Sequence, residues 1–76
     1  MTNVLKGEFP NSSNLDTYAY TPSDRVLVIT FQSGGRYAYN GVPEETVHAL
    51  VAAESAGKFF AANIRNAYPV TKLEAA

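Results

Sequence analysis

The sequence contains no cysteine and only one histidine, His48. Without cysteine there can be no disulfide, and one histidine alone cannot form the usual zinc site of nitrogen and sulfur ligands. Two common ways of stabilising a small domain are therefore excluded, although 76 residues are close to the lower size limit for a self-sufficient core. Tight packing or self-association must supply the stability, and we expect a homo-oligomer without a bound metal.

Long apolar segments and an excess of either charge are also missing. No stretch approaches the roughly 20 apolar residues that a membrane span requires, and residues 1–10 lack the continuous apolar segment of a signal peptide. We therefore expect a cytoplasmic protein with no membrane partner. The net charge of −1 and the pI near 5.6 weigh against strong non-specific binding to long nucleic acids. They leave room for a locally basic pocket.

The most informative stretch is residues 29–40, ITFQSGGRYAYN. Two residues that tolerate positive φ, placed between strand-like segments, predict a tight β-hairpin with Gly34-Gly35 as its loop. Phe31 then faces Ala38, and Thr30 faces Tyr39. Because side chains alternate along a strand, one face is expected to be core and carries Leu27, Ile29, Phe31 and Ala38. The other face, aromatic but partly polar, carries Val26, Val28, Thr30, Gln32, Tyr37 and Tyr39.

The remaining segments predict one more strand and two helices. Residues 15–20 alternate as a first strand, in an uncertain register. Pro43 fits the first turn of a helix, and a second helical segment runs from Lys58 to about Tyr68, where Pro69 ends it. The predicted fold is α+β, a three-stranded antiparallel meander followed by two helices packed on one face (β-β-β-α-α). We expect an N-terminal arm over 1–11, either irregular or with one short strand around Val4-Leu5, a domain over 12–69 and a C-terminal tail over 70–76.

Several motifs in this order resemble the KTSC domain, a family that is named for its occurrence at the C-terminus of some lysyl-tRNA synthetases. The residues that carry the resemblance are Ser12-Ser13-Asn14, Phe31 to Pro43 with Tyr37 and Tyr39, Ser55-Ala56-Gly57-Lys58-Phe59-Phe60, and Asn63-Ile64-Arg65. The family also includes small stand-alone bacterial and phage proteins. The resemblance implies the same domain over about 12–69, and the synthetase association implies RNA binding.

Two tyrosines and two cations are the strongest candidate binding residues. Tyr37 and Tyr39 are two apart on one strand, so their rings project to the same side and can stack on bases; alternatively, they pack against the arm or another subunit. The segment Ser55-Ala56-Gly57-Lys58 lies where the second helix is expected to begin. Its exposed backbone N–H groups and Lys58 suit an anion; alternatively, the segment is simply a helix–helix connector. Arg65 can hold a phosphate with two hydrogen bonds, or form a structural ion pair. The complete candidate set is Tyr37, Tyr39, Lys58, Asn63, Arg65 and Arg36.

No arrangement in the sequence predicts catalysis. Glu44 and Glu45 are adjacent and diverge on a helix, and Ser33 lacks both the strand–serine–helix turn of a nucleophile and a convincing histidine partner. We expect neither an enzyme nor a cofactor.

Three functions therefore remain. The first is a module that captures a nucleotide-like phosphorylated ligand, for example a phage-type ligand-sequestering protein. The second is an accessory domain that binds single-stranded RNA, and the third is a protein-interaction module. The acidic pI favours capture of one or two phosphates, or of a protein partner, over tracking of a polyanion, and we place the nucleotide-like ligand first.

Overall fold

A computed structural model describes residues 4–10 and 12–73. Within these residues the chain forms one antiparallel sheet and two helices. The strands pair in sequence order, β1-β2-β3-β4-β5. The elements are β1 (Leu5–Glu8), β2 (Leu15–Thr21), β3 (Val26–Phe31), β4 (Arg36–Asn40), α1 (Glu44–Ala52), α2 (Ala56–Asn63) and β5 (Val70–Leu73).

The predicted α+β class with two helices is confirmed. The predicted number of three strands was wrong, because the described residues form five. The two additional strands lie in the segments that were predicted as an arm and a tail. Both are short edge strands with only four residues each, which is too little alternation for a firm prediction. A short strand around Val4-Leu5 was one reading of the arm, whereas no strand was expected in the tail. Residues 1–3, 11 and 74–76 of those segments lie outside the described residues.

The hairpin between β3 and β4 has a three-residue loop, not the predicted two-residue loop. The backbone N–H of Phe31 donates to the carbonyl of Gly35, and the N–H of Gly34 donates back to the carbonyl of Phe31, each at 2.9 Å. Residues 32–34 therefore form the loop. Gly34 has φ +98°, a value that favours glycine, and Gly35 does not take a positive φ. This is the geometry of a turn that closes with one left-handed residue.

The longer loop shifts the register of β4 by three residues and reverses its faces. Tyr39 pairs with Leu27, and Tyr37 pairs with Ile29. An odd shift moves every side chain of the strand to the other face. The predicted outward position of the tyrosines was therefore wrong. Ala38 is buried, as predicted, but on the opposite face of the sheet from Leu27 and Ile29 and outside their core cluster. Both tyrosines lie on the face that the helices cover, and Ala38 pairs with Val28 on the uncovered face.

The core lies between this face and the helices. Leu27 and Ile29 are fully buried, as predicted, and Phe31 packs partly buried at the edge of the core. The sheet and its connections contribute Phe9, Leu15, Tyr20, Leu27, Ile29, Tyr39 and Val42, and the helical region contributes Val47, Leu50, Phe60 and Ile64.

The helical boundaries differ from those expected. Pro43 is the N-cap of α1, with ψ 151°, so the helix begins at Glu44. The second helix begins earlier than predicted, because the Ser55 hydroxyl accepts a hydrogen bond from the Lys58 N–H at 3.3 Å. It also ends earlier, because Ile64 leaves helical geometry at φ −120°. Arg65 consequently lies in the turn after α2 and not on the helix.

A buried hydrogen bond joins the sheet to the beginning of α1. The Tyr20 hydroxyl donates to the carbonyl of Val42 at 2.6 Å, and both side chains are almost completely buried. No other hydrogen bond is seen at this carbonyl within the described residues.

We predict that Tyr20→Phe lowers the free energy of unfolding by about 1–3 kcal/mol, because it leaves a buried carbonyl without its donor. Chemical denaturation followed by circular dichroism measures the change. Tyr68→Phe is the matched control, since the Tyr68 hydroxyl makes no hydrogen bond among the described residues. Equal stability of wild type and Tyr20→Phe would contradict the contribution of this hydrogen bond.

Candidate functional site

An open groove of about 630 Å³ lies between the end of the β3–β4 hairpin and the far end of α2. Its volume is within the range of about 300–1,000 Å³ that is typical of small-molecule sites. Aromatic side chains, amide side chains and one arginine line it together. The lining residues are Ser13, Asn14, Leu15, Phe31, Gln32, Ser33, Tyr37, Tyr39, Gly57, Phe60, Ala61, Arg65, Asn66 and Val70.

Four aromatic rings form the floor of this groove and continue into the core. Phe31 packs edge-on against Tyr37 and against Phe60, with centroids 5.4 and 5.6 Å apart. Tyr39 packs edge-on against Phe60 at 5.3 Å. Such edge-to-face contacts stabilise the cluster beyond the burial of its area.

The two predicted stacking tyrosines are not equivalent. Tyr39 is only 4% exposed, so its ring belongs to the core and cannot offer a face to a base. Tyr37 is half-buried and is the ring that a ligand can reach. The two tyrosines therefore cannot both stack on a base in this arrangement. One ring, Tyr37, can stack.

Arg65 brings a positive charge to the same groove. Its backbone N–H donates to the carbonyl of Phe60 at 2.9 Å, which fixes the turn that follows α2. Its exposed side chain lies close enough to Tyr39 to act on that hydroxyl: burial raises the pKa of Tyr39, and the Arg65 guanidinium opposes the rise. The groove therefore combines one accessible ring with one guanidinium.

The opposite wall is the Ser12-Ser13-Asn14 segment, which the hairpin loop holds in place. The Gln32 backbone N–H donates to the carbonyl of Asn14 at 2.8 Å, and its side chain donates to the carbonyl of Leu15 at 3.2 Å. The Ser12 hydroxyl accepts from the Leu15 N–H at 3.0 Å. These bonds position Asn14 at the rim. Asn14, Gln32 and Asn66 were not among the predicted site residues, because isolated amides in turns carry no distinguishing pattern.

Lys58 lies in a second groove of about 490 Å³ on the other side of the same wall. The two grooves share the wall residues Ser13 and Asn14 and the helix residues Gly57 and Ala61. They are therefore neighbouring parts of one surface along α2. Lys58 is at one end of this surface and Arg65 is at the other.

Two predicted site residues lie elsewhere. The Asn63 side chain donates to the carbonyl of Phe59 at 3.2 Å, one helical turn back, and does not line either groove. Arg36 pairs with Thr30 and Leu73 and alternates with Tyr37 along β4, which places it on the uncovered face of the sheet. The structure thus brings Tyr37, Tyr39 and Arg65 together and separates them from Asn63 and Arg36.

The described residues contain no group of three or more histidine, cysteine, aspartate or glutamate side chains that could hold a metal ion. His48 and Glu44 are one turn apart on the exposed side of α1, with Nε2 and Oε2 3.1 Å apart. No described helix is both long and apolar enough to cross a bilayer.

Comparison with known proteins identifies the family. The model of the KTSC domain matches residues 11–68. The chain belongs to the KTSC domain family. A crystal structure of a KTSC domain protein from Yersinia pestis has 30% sequence identity and a TM-score of 0.87, and the match covers 95% of this chain and all of that one.

Two curated relatives share part of this KTSC domain. An uncharacterized protein of Stutzerimonas stutzeri (strain A1501) is 43% identical over 49 residues, which are 64% of this chain and 69% of that protein. A protein of Tsukamurella paurometabola is 40% identical over 48 residues, or 63% of this chain and 72% of that protein. The resemblance that the sequence motifs indicated is therefore confirmed, and this is a small bacterial type of protein.

The buried tyrosines of this KTSC domain predict a loss of stability at alkaline pH. Burial raises the pKa of Tyr39 and of Tyr20 above the usual value for tyrosine. That usual value, which applies in an unfolded chain, is about 10. The folded state then keeps protons that the unfolded state has released. The stabilising contribution is complete below about pH 10 and is lost as pH rises through the folded pKa values.

We therefore expect the free energy of unfolding to fall as pH rises above about 10, and to fall less steeply in Tyr39→Phe and in Tyr20→Phe. Urea denaturation at a series of alkaline pH values measures both slopes. The same slope in both variants as in wild type would show that other groups cause the loss.

Proposed function

We propose that this KTSC domain is a non-enzymatic module that captures a nucleotide-like phosphorylated ligand in the groove beside α2. The observation that carries the proposal is that Tyr37, Arg65 and the amides of Asn14 and Asn66 line one groove. A ring can stack on a base, a guanidinium can bind phosphate oxygens, and amides can both donate and accept hydrogen bonds. These are the contacts that a nucleotide requires.

The number of cations supports a ligand with few phosphates. Arg65 is the single Lys or Arg among the described residues that line this groove, and the whole chain carries a net charge of −1. A site with one guanidinium can neutralise a monophosphate or a cyclic phosphate, whereas affinity for a long polyanion grows with the number of phosphates neutralised. Binding should therefore depend on the base and on one phosphate group.

Single-stranded RNA is the second candidate, and the neighbouring groove favours it. Lys58 and Arg65 lie at opposite ends of the surface along α2, and the shared wall of Ser13 and Asn14 stands between them. α2 rises about 8 Å from Lys58 to Asn63, and Arg65 lies two residues beyond its end, so the two cations can contact different phosphates of one strand. Tyr37 would then stack on one base of that strand.

We also propose that the module acts as a homo-oligomer in the cytoplasm. The chain has no disulfide to stabilise it, and its sheet leaves one face without a covering helix among the described residues. Val28, Ala19 and Ala38 pair across the middle of that face. When folded chains associate and unfolded chains do not, the association stabilises the folded state of a small domain.

Two substitutions test the groove. We expect Arg65→Ala to weaken binding of a mononucleotide by about 1.5–3 kcal/mol, or about 10- to 150-fold, through loss of a charge-assisted hydrogen bond. Tyr37→Ala should weaken it by about 1–3 kcal/mol through loss of stacking. Calorimetry with mononucleotides, cyclic nucleotides and a short mixed-sequence RNA measures both. Tyr39→Ala is not a suitable probe, because removal of a buried ring costs about 3–5 kcal/mol of stability.

Arg36→Ala is the matched control, since it removes the same charge from the uncovered face. It should leave the affinity unchanged. The salt dependence separates the two candidates: a mononucleotide should give a shallow slope, and an RNA that also contacts Lys58 should give a steeper one. If neither ligand class binds while a host protein does, the module is a protein-interaction domain and the stacking argument is wrong.

A further inference from the structure

The outer edge of β1 presents backbone groups in a defined pattern. β1 pairs with β2 through Leu5–Tyr20, Lys6–Ala19, Gly7–Tyr18 and Glu8–Thr17. The N–H of Phe9 donates to the carbonyl of Asp16 at 2.9 Å, which makes Phe9–Asp16 a hydrogen-bonded pair. Because such pairs alternate along an antiparallel ladder, Leu5 and Gly7 direct their backbone groups to β2. Lys6 and Glu8 direct theirs to the open edge.

The same two residues carry opposite charges on one face. Lys6 and Glu8 are two apart, so both side chains project to the uncovered face of the sheet, and both are exposed. Their neighbours on β2 are Ala19 and Thr17, which are uncharged. Neither residue forms an ion pair with a described residue. The edge therefore offers outward backbone groups together with one positive and one negative charge.

We propose that a second copy of this chain pairs with the β1 edge in an antiparallel register centred on Gly7. In this register Lys6 of one copy exchanges two backbone hydrogen bonds with Glu8 of the other, and the reciprocal pair does the same. Each backbone pair also places opposite charges directly across from one another on one face, which stabilises a cross-strand pair. The arrangement has twofold symmetry and thus forms a closed dimer.

Electrostatics excludes the adjacent registers that use the same outward groups. A shift of the partner strand by two residues in one direction places Lys6 opposite Lys6, and in the other direction Glu8 opposite Glu8. Like charges directly opposite one another are destabilising. Gly7 at the centre carries no side chain. A Cβ atom at this position would lie only 2.6 Å from Cε1 of the Tyr18 ring. Pro10 has no N–H to donate and ends the ladder. The charge pattern therefore selects one register.

This inference rests on the self-association proposed above and specifies its surface, but it is independent of the ligand. β1 has four residues, so the pairing buries much less than the roughly 1,000 Å² of a stable interface. The dimer is consequently weak, and its equilibrium must be measured up to the highest soluble concentration. No residue of β1 lines the groove of Tyr37 and Arg65, so backbone pairing leaves that groove accessible, whereas Glu8 lines the neighbouring groove of Lys58.

Charge exchange provides the test. We expect Lys6→Glu alone, and Glu8→Lys alone, each to raise the dimer dissociation constant at least about tenfold, because two opposite-charge pairs become like-charge pairs. A mixture of these two variants should form a heterodimer as strong as the wild-type dimer, since each glutamate then faces a lysine. The double variant Lys6→Glu, Glu8→Lys should likewise regain wild-type association. Sedimentation equilibrium measures all four proteins, and circular dichroism establishes that each is folded.

Lys72→Glu is the matched control, because it makes the same change of charge on β5, at the opposite edge of the sheet. It should leave the dissociation constant unchanged. A wild-type protein that stays monomeric at every concentration overturns both the self-association and the edge pairing. A wild-type dimer that the charge variants do not weaken, or that mixing does not restore, overturns the edge pairing and leaves self-association through another surface. Neither result bears on nucleotide binding, which calorimetry measures separately.

Discussion

The backbone register between β3 and β4 determines where every aromatic side chain of the groove lies. The reciprocal hydrogen bonds of Phe31 with Gly35 and Gly34 set this register, and they require the positive φ of Gly34. With one residue fewer in the loop, the tyrosines of β4 would leave the helix-covered face. The core would lose the Tyr39 ring and the groove would lose the Tyr37 ring. One glycine conformation thus controls both the packing and the candidate site.

The core and the groove share one aromatic cluster. Phe60 packs edge-on against both Phe31 and Tyr39. Tyr37 packs edge-on against Phe31 and completes the cluster at the solvent boundary. A domain of this size has little core to spare, so a site built from the rim of the core requires no additional apolar surface. The arrangement also explains why substitutions differ in consequence. Removal of Tyr37 affects a surface that is half-open, whereas removal of Tyr39 affects folding itself.

The sequence was informative where several residues supported the same structure. The alternation of Leu27, Ile29 and Phe31 predicted a core face, and Leu27 and Ile29 are fully buried there. It was insufficient where one residue decided the outcome. Two adjacent glycines permit either a two-residue or a three-residue loop, and only the hydrogen bonds of the folded hairpin distinguish them. The edge strands depend on pairing with β2 and β4, which a four-residue pattern does not encode. Arg65 was predicted as a site residue from its chemistry, but its place in the groove with Tyr37 depends on where α2 ends.

The central claim is that Tyr37 and Arg65 act together in one groove as the binding surface of this domain. The most direct measurement is a titration of the isotopically labelled protein with a mononucleotide, followed residue by residue by NMR chemical shifts. The account predicts that the largest shifts cluster at Tyr37, Arg65, Asn66 and the Ser13-Asn14 wall, with little change at Val28 and Ala38 on the uncovered face. Shifts that cluster on the uncovered face, or none at saturating nucleotide, would contradict it.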